Sequence, residues 1–127
     1  MKKALIIIAR LVLGIIFLGA GINGFVVAFG FEPFIETSDE AMQLFEFQYL
    51  LIFEKSLEVI CGMLLILNRF VPLALAVLAP IIANILLLHI FVDYSLLLLA
   101  ILLFICHAFL LIIYKNNFVK IFEKKPL

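Results

Sequence analysis

Residues 71–114 read VPLALAVLAPIIANILLLHIFVDYSLLLLAILLFICHAFLLIIY, two apolar runs of helix length divided by Asp93 alone. About 20 apolar residues cross the hydrocarbon core of a bilayer as an α-helix, so residues 71–92 and 94–114 read as two membrane spans. A link this short joins only antiparallel neighbours. Working outward, residues 4–29 and 50–67 have the same character, with an acidic segment at 30–49 between them and Asn68-Arg69-Phe70 leading into the third run. The expected fold class is all-α: an integral-membrane, four-transmembrane-helix up-down bundle, one domain over residues 1–127.

The rest of the composition agrees. The chain is 68% apolar and 14% charged, against roughly 45–50% and about 25% in ordinary soluble domains. Its mean hydropathy is +1.36. A nucleic-acid binder is excluded, because 9 Lys and Arg are cancelled by 9 Asp and Glu and no basic stripe can be assembled from them. Disorder is excluded by the same apolar majority. Met1-Lys2-Lys3 before an apolar run also resembles the start of a signal peptide, but Arg10 interrupts that run after six residues. The segment is therefore expected to be a retained span.

The charges sort by loop. Lys2, Lys3, Arg10, Arg69, Lys115, Lys120, Lys124 and Lys125 fall at or near one side, while Glu32, Glu36, Asp39, Glu40, Glu46 and Asp93 fall on the other. Lys and Arg in short loops mark the cytoplasmic side, so both termini are expected there. Tyr49, Tyr94 and Tyr114 fall at span ends, where an amphipathic ring keeps its hydroxyl wet. On the acidic side Thr37 and Glu40 have capping-box spacing and precede Ala41, Met42, Leu44 and Phe45 at helical intervals. A short amphipathic helix over about 38–48 is expected in this first outer loop, with Phe31, Phe34 and Ile35 packed beneath it. It would serve as a connector, a lid over the mouth of the bundle, or a docking surface for a partner.

Ionisable groups in the hydrocarbon layer are costly, so they face the bundle interior and pair. With a rise of about 1.5 Å per residue from the cytoplasmic ends, Arg10 falls at roughly 9 Å, His107 at about 10 Å and Glu58 at about 15 Å. Glu54, Lys55 and Asn84 fall at roughly 20 Å, and Asn23 and His89 at about 27–28 Å, near the outer mouth. Rotation agrees: at 100° per residue Glu54, Glu58, Cys61, Leu65 and Asn68 share one helix face, and Arg10, Gly14, Phe17, Gly21 and Gly24 share another. Small residues let helices approach closely. The expected clusters are Arg10 with Glu58 and His107, and Glu54 with Lys55 and Asn84. They either fix helix register or line a substrate or proton path.

Other chemistry is thin. There is no C-x-x-C, and Cys61 and Cys106 read as small apolar filler. His89 and His107 differ in depth by roughly 16 Å, too much for two axial ligands of one haem. His89, near Asn23 at the outer mouth, is the more ligand-facing of the two. No metal-site spacing and no catalytic set is present. Pro80 withholds an N–H from the carbonyl of Ala76 within the third span and is expected to kink it.

Three strings carry a family resemblance. They are Ala9-Arg10-Leu11-Val12-Leu13-Gly14 leading to Asn23-Gly24-Phe25, Leu57-Glu58-Val59-Ile60-Cys61-Gly62 leading to Asn68-Arg69-Phe70-Val71-Pro72-Leu73, and Ala79-Pro80 leading to Asn84 and His89. Together they resemble the DoxX-like family of small four-helix membrane proteins, over roughly residues 9–93. Cys61 stands where a second glycine is common in that family's Glu-x-x-Gly-Gly pattern. The resemblance implies the bacterial inner membrane and an association with redox chemistry, some relatives resembling subunits of thiosulfate:quinone oxidoreductases or partners in oxidative-stress complexes. It makes quinone the cofactor to consider.

Three functions follow as expectations. The first is an accessory or anchor subunit that binds quinone or a similar apolar ligand among Arg10, Glu58 and His89 and supports a redox partner. The second is a purely structural protein whose acidic outer loop docks another membrane subunit, with self-association also allowed. The third, a small transporter or proton path, rests only on the layered Glu54, Glu58, His107 and Arg10, and the spans show no inverted repeat.

Overall fold

A computed structural model of the chain describes residues 1–35, 39–43 and 46–125. Four long helices dominate: α1 (Lys2–Ala28), α3 (Gln48–Ile66), α4 (Val71–Phe91) and α5 (Leu97–Ile113), with a five-residue helix α2 (Asp39–Gln43) between the first two. Three apolar stretches, Lys2–Ala28, Val71–Phe91 and Tyr94–Ile113, are long and apolar enough to cross a membrane. The chain is a multi-pass membrane protein. The remaining long helix, α3, carries Glu54, Lys55 and Glu58.

Each helix stops for a local reason. Gly30 takes φ +85°, and the Gly30 and Phe31 N–H groups donate to the carbonyls of Val27 and Val26 at 3.0 Å each. This is the Schellman ending, in which a left-handed residue returns two donors to the last helical carbonyls. Asn68 does the same for α3, with φ +56° and donation from Asn68 and Arg69 to Leu65 and Leu64. Asn tolerates that conformation through its short polar side chain. Pro72 then sits in the first turn of α4, where a missing N–H costs little. At the far end of α4 the carboxylate of Asp93 accepts from the Ser95 N–H at 3.1 Å and starts a 3-10 turn, Tyr94–Leu96, that leads into α5.

α1 packs most extensively against α3, and α4 against α5, while α1–α5 and α3–α4 contacts complete the ring. The core between them is built from Leu13, Phe17, Leu65, Leu75, Leu78, Ile82, Leu103 and Leu110. The α1–α3 approach is backbone to backbone. A Cβ on Gly62 would stand 2.7 Å from the Leu18 nitrogen and 2.8 Å from the Gly14 carbonyl oxygen, and one on Gly21 would meet Val59 Cγ2 at 2.6 Å. The glycine stripe read from the sequence is therefore the contact surface itself.

Several boundaries and placements differ from expectation. α3 begins at Gln48, whose side chain donates to the Ala28 carbonyl at the end of α1. The outer helix is described over Asp39–Gln43 rather than 38–48. Thr37, Glu36, Leu44 and Phe45 lie outside the described residues, as does the Glu40 side chain, so the expected capping box falls there too. Phe31 and Phe34 are 70% and 63% exposed, so they form no layer beneath a lid. After α5 the chain makes two further 3-10 turns, Lys115–Asn117 and Val119–Phe122, with Tyr114 and Phe118 against the core.

Candidate functional site

The interior polar residues divide by what they hold. Arg10 of α1 donates through Nη1 to the carbonyls of Leu65 and Ile66, the latter at 3.1 Å. These belong to the last turn of α3, whose carbonyls have no partner within the helix. A cation there also meets the negative end of the helix dipole. The expected Arg10–Glu58 pair is thus not formed: Arg10 reaches a point about two turns past Glu58, where carbonyls offer the better match for its fork of donors.

His107 on α5 is buried, with Nε2 2.8 Å from the Leu75 carbonyl oxygen on α4. A carbonyl only accepts, so Nε2 carries the proton. His107 is a tie between α4 and α5, and not a member of an Arg10 cluster. His89 is buried near the C-terminal end of α4, where Nδ1 donates to the Asp93 carbonyl at 2.8 Å and closes the turn into α5. Asn23 uses its amide in both directions: Nδ2 donates to the Ile35 carbonyl at 3.0 Å, and Oδ1 accepts from the Ile35 N–H at 3.1 Å. That pair pins the segment after α1 to α1 itself. Four of the eight expected site residues therefore serve backbone groups.

Asn84 also departs from expectation. It is exposed on α4 together with Pro80, on the face turned away from the bundle, so it does not join Glu54 and Lys55. Cys61 is a free thiol in the core and Cys106 a free, half-buried one, as filler requires.

The remaining three residues make one assembly on the α1–α3 seam. Lys55 lays its stem across Gly24 of α1, where an added Cβ would stand 2.3, 2.4 and 2.7 Å from Lys55 Cγ, Cδ and Cε. Lys55 Nζ then comes 3.0 Å from Glu58 Oε2, one turn further along α3. Glu58 is 1% exposed. Its Oε2 meets the ammonium as an ion pair, and among the described residues no other donor reaches this buried oxygen. Glu54 is half-buried on the same face, one turn earlier. Two carboxylates thus flank one ammonium, in a setting where charges are expensive unless paired.

Sequence reading missed the acceptors that Arg10 and His107 use, since every residue carries a carbonyl and no pattern marks which are open. Asn68 was the available signal: an Asn ending a helix marks where its last carbonyls stand, each with a second lone pair to offer. Gly24 as the cradle for Lys55 was likewise hidden, although its place on the glycine stripe was visible. Among the described residues no group of three or more His, Cys, Asp or Glu could hold a metal ion.

A family model described as DoxX matches residues 5–92, which take in α1, α3 and α4. No curated protein and no solved structure matches the chain.

Proposed function

Because the chain belongs to the DoxX family, we propose that it is a four-span inner-membrane accessory subunit that holds a quinone-class ligand at the α1–α3 seam and supports a redox partner. The observation that carries this reading is the Glu58 Oε2 atom, buried at the seam with the Lys55 ammonium as its ion-pair partner. A quinone headgroup is chemically matched to that pair. Its carbonyl form accepts from an ammonium, and its reduced form offers a hydroxyl to a carboxylate. Lys55, Glu58 and Glu54 would meet the headgroup, and the bare backbone at Gly24 allows a planar ring to approach if the Lys55 stem swings aside. The apolar walls suit an isoprenoid tail. When bound, the quinone supplies electron-accepting chemistry, while the protein's own groups orient it and exclude water.

The fourth span in this reading is α3. Its charges lie toward α1, whereas Ile52, Phe53, Ile60 and Met63 are exposed, so lipid meets an apolar face. In this reading the basic Lys2, Lys3, Arg69 and Lys115 lie on the cytoplasmic side and the acidic loop outside, the arrangement that Lys and Arg in short loops favour.

A second reading, a membrane scaffold without a ligand, draws support from the use of Arg10, Asn23, His89 and His107 on backbone groups. One purification separates the two. Protein extracted gently from native membranes should carry quinone detectable by mass spectrometry in the wild type and lose it in a folded K55M/E58L variant. Wild-type protein free of quinone but carrying a stoichiometric second polypeptide would sink the first reading and leave the scaffold.

A further inference from the structure

The outward face of α4 has the make-up of a helix contact. Leu73, Ala76, Pro80, Ala83, Leu87 and Ile90 are all exposed, and they recur at intervals of three and four residues, the spacing of a left-handed helix pair. The middle of the row is small. Asn84 stands beside Ala83, exposed, and its side chain makes no hydrogen bond with any described residue. It lies about 20 Å along α4 from Val71 and about 10 Å from Phe91, inside the hydrocarbon layer on the span reading. An amide left unsatisfied against lipid costs several kcal/mol, and an interhelical partner removes that cost.

We propose that two copies of the chain associate through this face of α4, with the two Asn84 side chains hydrogen-bonded to each other across a two-fold axis along the membrane normal. Three observations favour a second copy over another protein. An amide is self-complementary, bearing both donor and acceptor, as an isologous contact requires. Copies inserted in the same orientation bring Asn84 to Asn84 at equal depth without any tuning. The face also carries no charge that would call for an opposite partner, and Ala76 and Ala83 leave room for the backbones to close in.

Full-length protein carrying donor or acceptor dyes at the N-terminus, reconstituted in phosphatidylcholine and phosphatidylglycerol vesicles over a range of protein-to-lipid ratios, tests this by energy transfer. The wild type should associate, N84L should weaken association by about tenfold, and N84Q should retain it. Leu98 on α5, 85% exposed, provides the control, L98A leaving association unchanged. Because Asn84 is exposed, loss of fold is not expected in N84L, and circular dichroism verifies it. A wild type that stays monomeric at every ratio overturns the proposal, as does an N84L variant that associates equally well. Site-specific cross-linking from Ala83 in native membranes that captures a different polypeptide, and no second copy, overturns it in favour of a heteromeric contact.

Discussion

Arg10 and Glu58 are both interior, both charged and on neighbouring helices, yet each answers to a different partner. Arg10 serves the last carbonyls of α3, and Glu58 the Lys55 ammonium. Removing both should therefore cost the sum of the separate losses. In a double-mutant cycle of R10A and E58Q, followed by thermal unfolding in detergent, the expected coupling is under about 0.5 kcal/mol, as for independent sites; a coupling well above that would restore the direct pair. The residue scale is also where sequence reading reached its limit. Rotation placed Arg10 and Glu58 toward the interior, and the cost of polar groups in lipid did the same for Asn23, His89 and His107. Depth along each helix could not say which of several acceptors within reach each would choose, because a backbone carbonyl has no residue type. Asn84 failed for a related reason: four helices in a ring leave each one an outward face, and a helix as uniformly apolar as α4 gives no contrast to show which face that is.

At the scale of elements, the ends of the helices were legible and their lengths nearly so. Gly30, Asn68 and Asp93 marked three boundaries, each by a conformational or capping property of its own residue type. The α1–α3 seam was legible as a stripe of small residues, and its closeness makes a sharp comparison possible. Gly62 has the Leu18 nitrogen and Gly14 carbonyl where a Cβ would go, whereas Gly19 has nothing within 4 Å. G62L should force the helices apart and cost at least about 1–3 kcal/mol, the usual range for overpacking, while G19A should leave the melting temperature unchanged or slightly higher, since Ala favours helix. Equal melting temperatures for the two variants would contradict the seam. The segment after α1 was less legible, because Asn23 fixes it through the backbone of Ile35, a contact that needs no particular residue at position 35.

At the scale of the molecule, equal numbers of acids and bases conceal a strongly polarised chain. Basic residues gather at the chain ends and the α3–α4 turn, acidic ones in the loop between α1 and α3 and at Asp93. Single cysteines placed at Lys2 and Lys115 in intact cells should resist a membrane-impermeant maleimide until the membrane is opened, and one at Glu32 should react at once. The reverse pattern would invert the orientation. Apolar length sufficed to mark a membrane protein, since a bilayer reads that property directly, while the orientation rests on the charge bias that this labelling tests.

The Arg10 contact has a consequence for how the protein is made. Its acceptors at Leu65 and Ile66 are synthesised 55 and 56 residues later, so α1 enters the membrane with a cation that nothing yet satisfies. Lys55 similarly reaches its seat only when Gly24 is already beside it. α1 and α3 are thus expected to leave the insertion machinery together, as one unit, after residue 66 has emerged. Ribosome-bound chains truncated near residue 45 should stay cross-linked to the translocation channel, and chains ending beyond residue 100 should be released into lipid. An R10L chain, freed of the unmet charge, should be released at the shorter length.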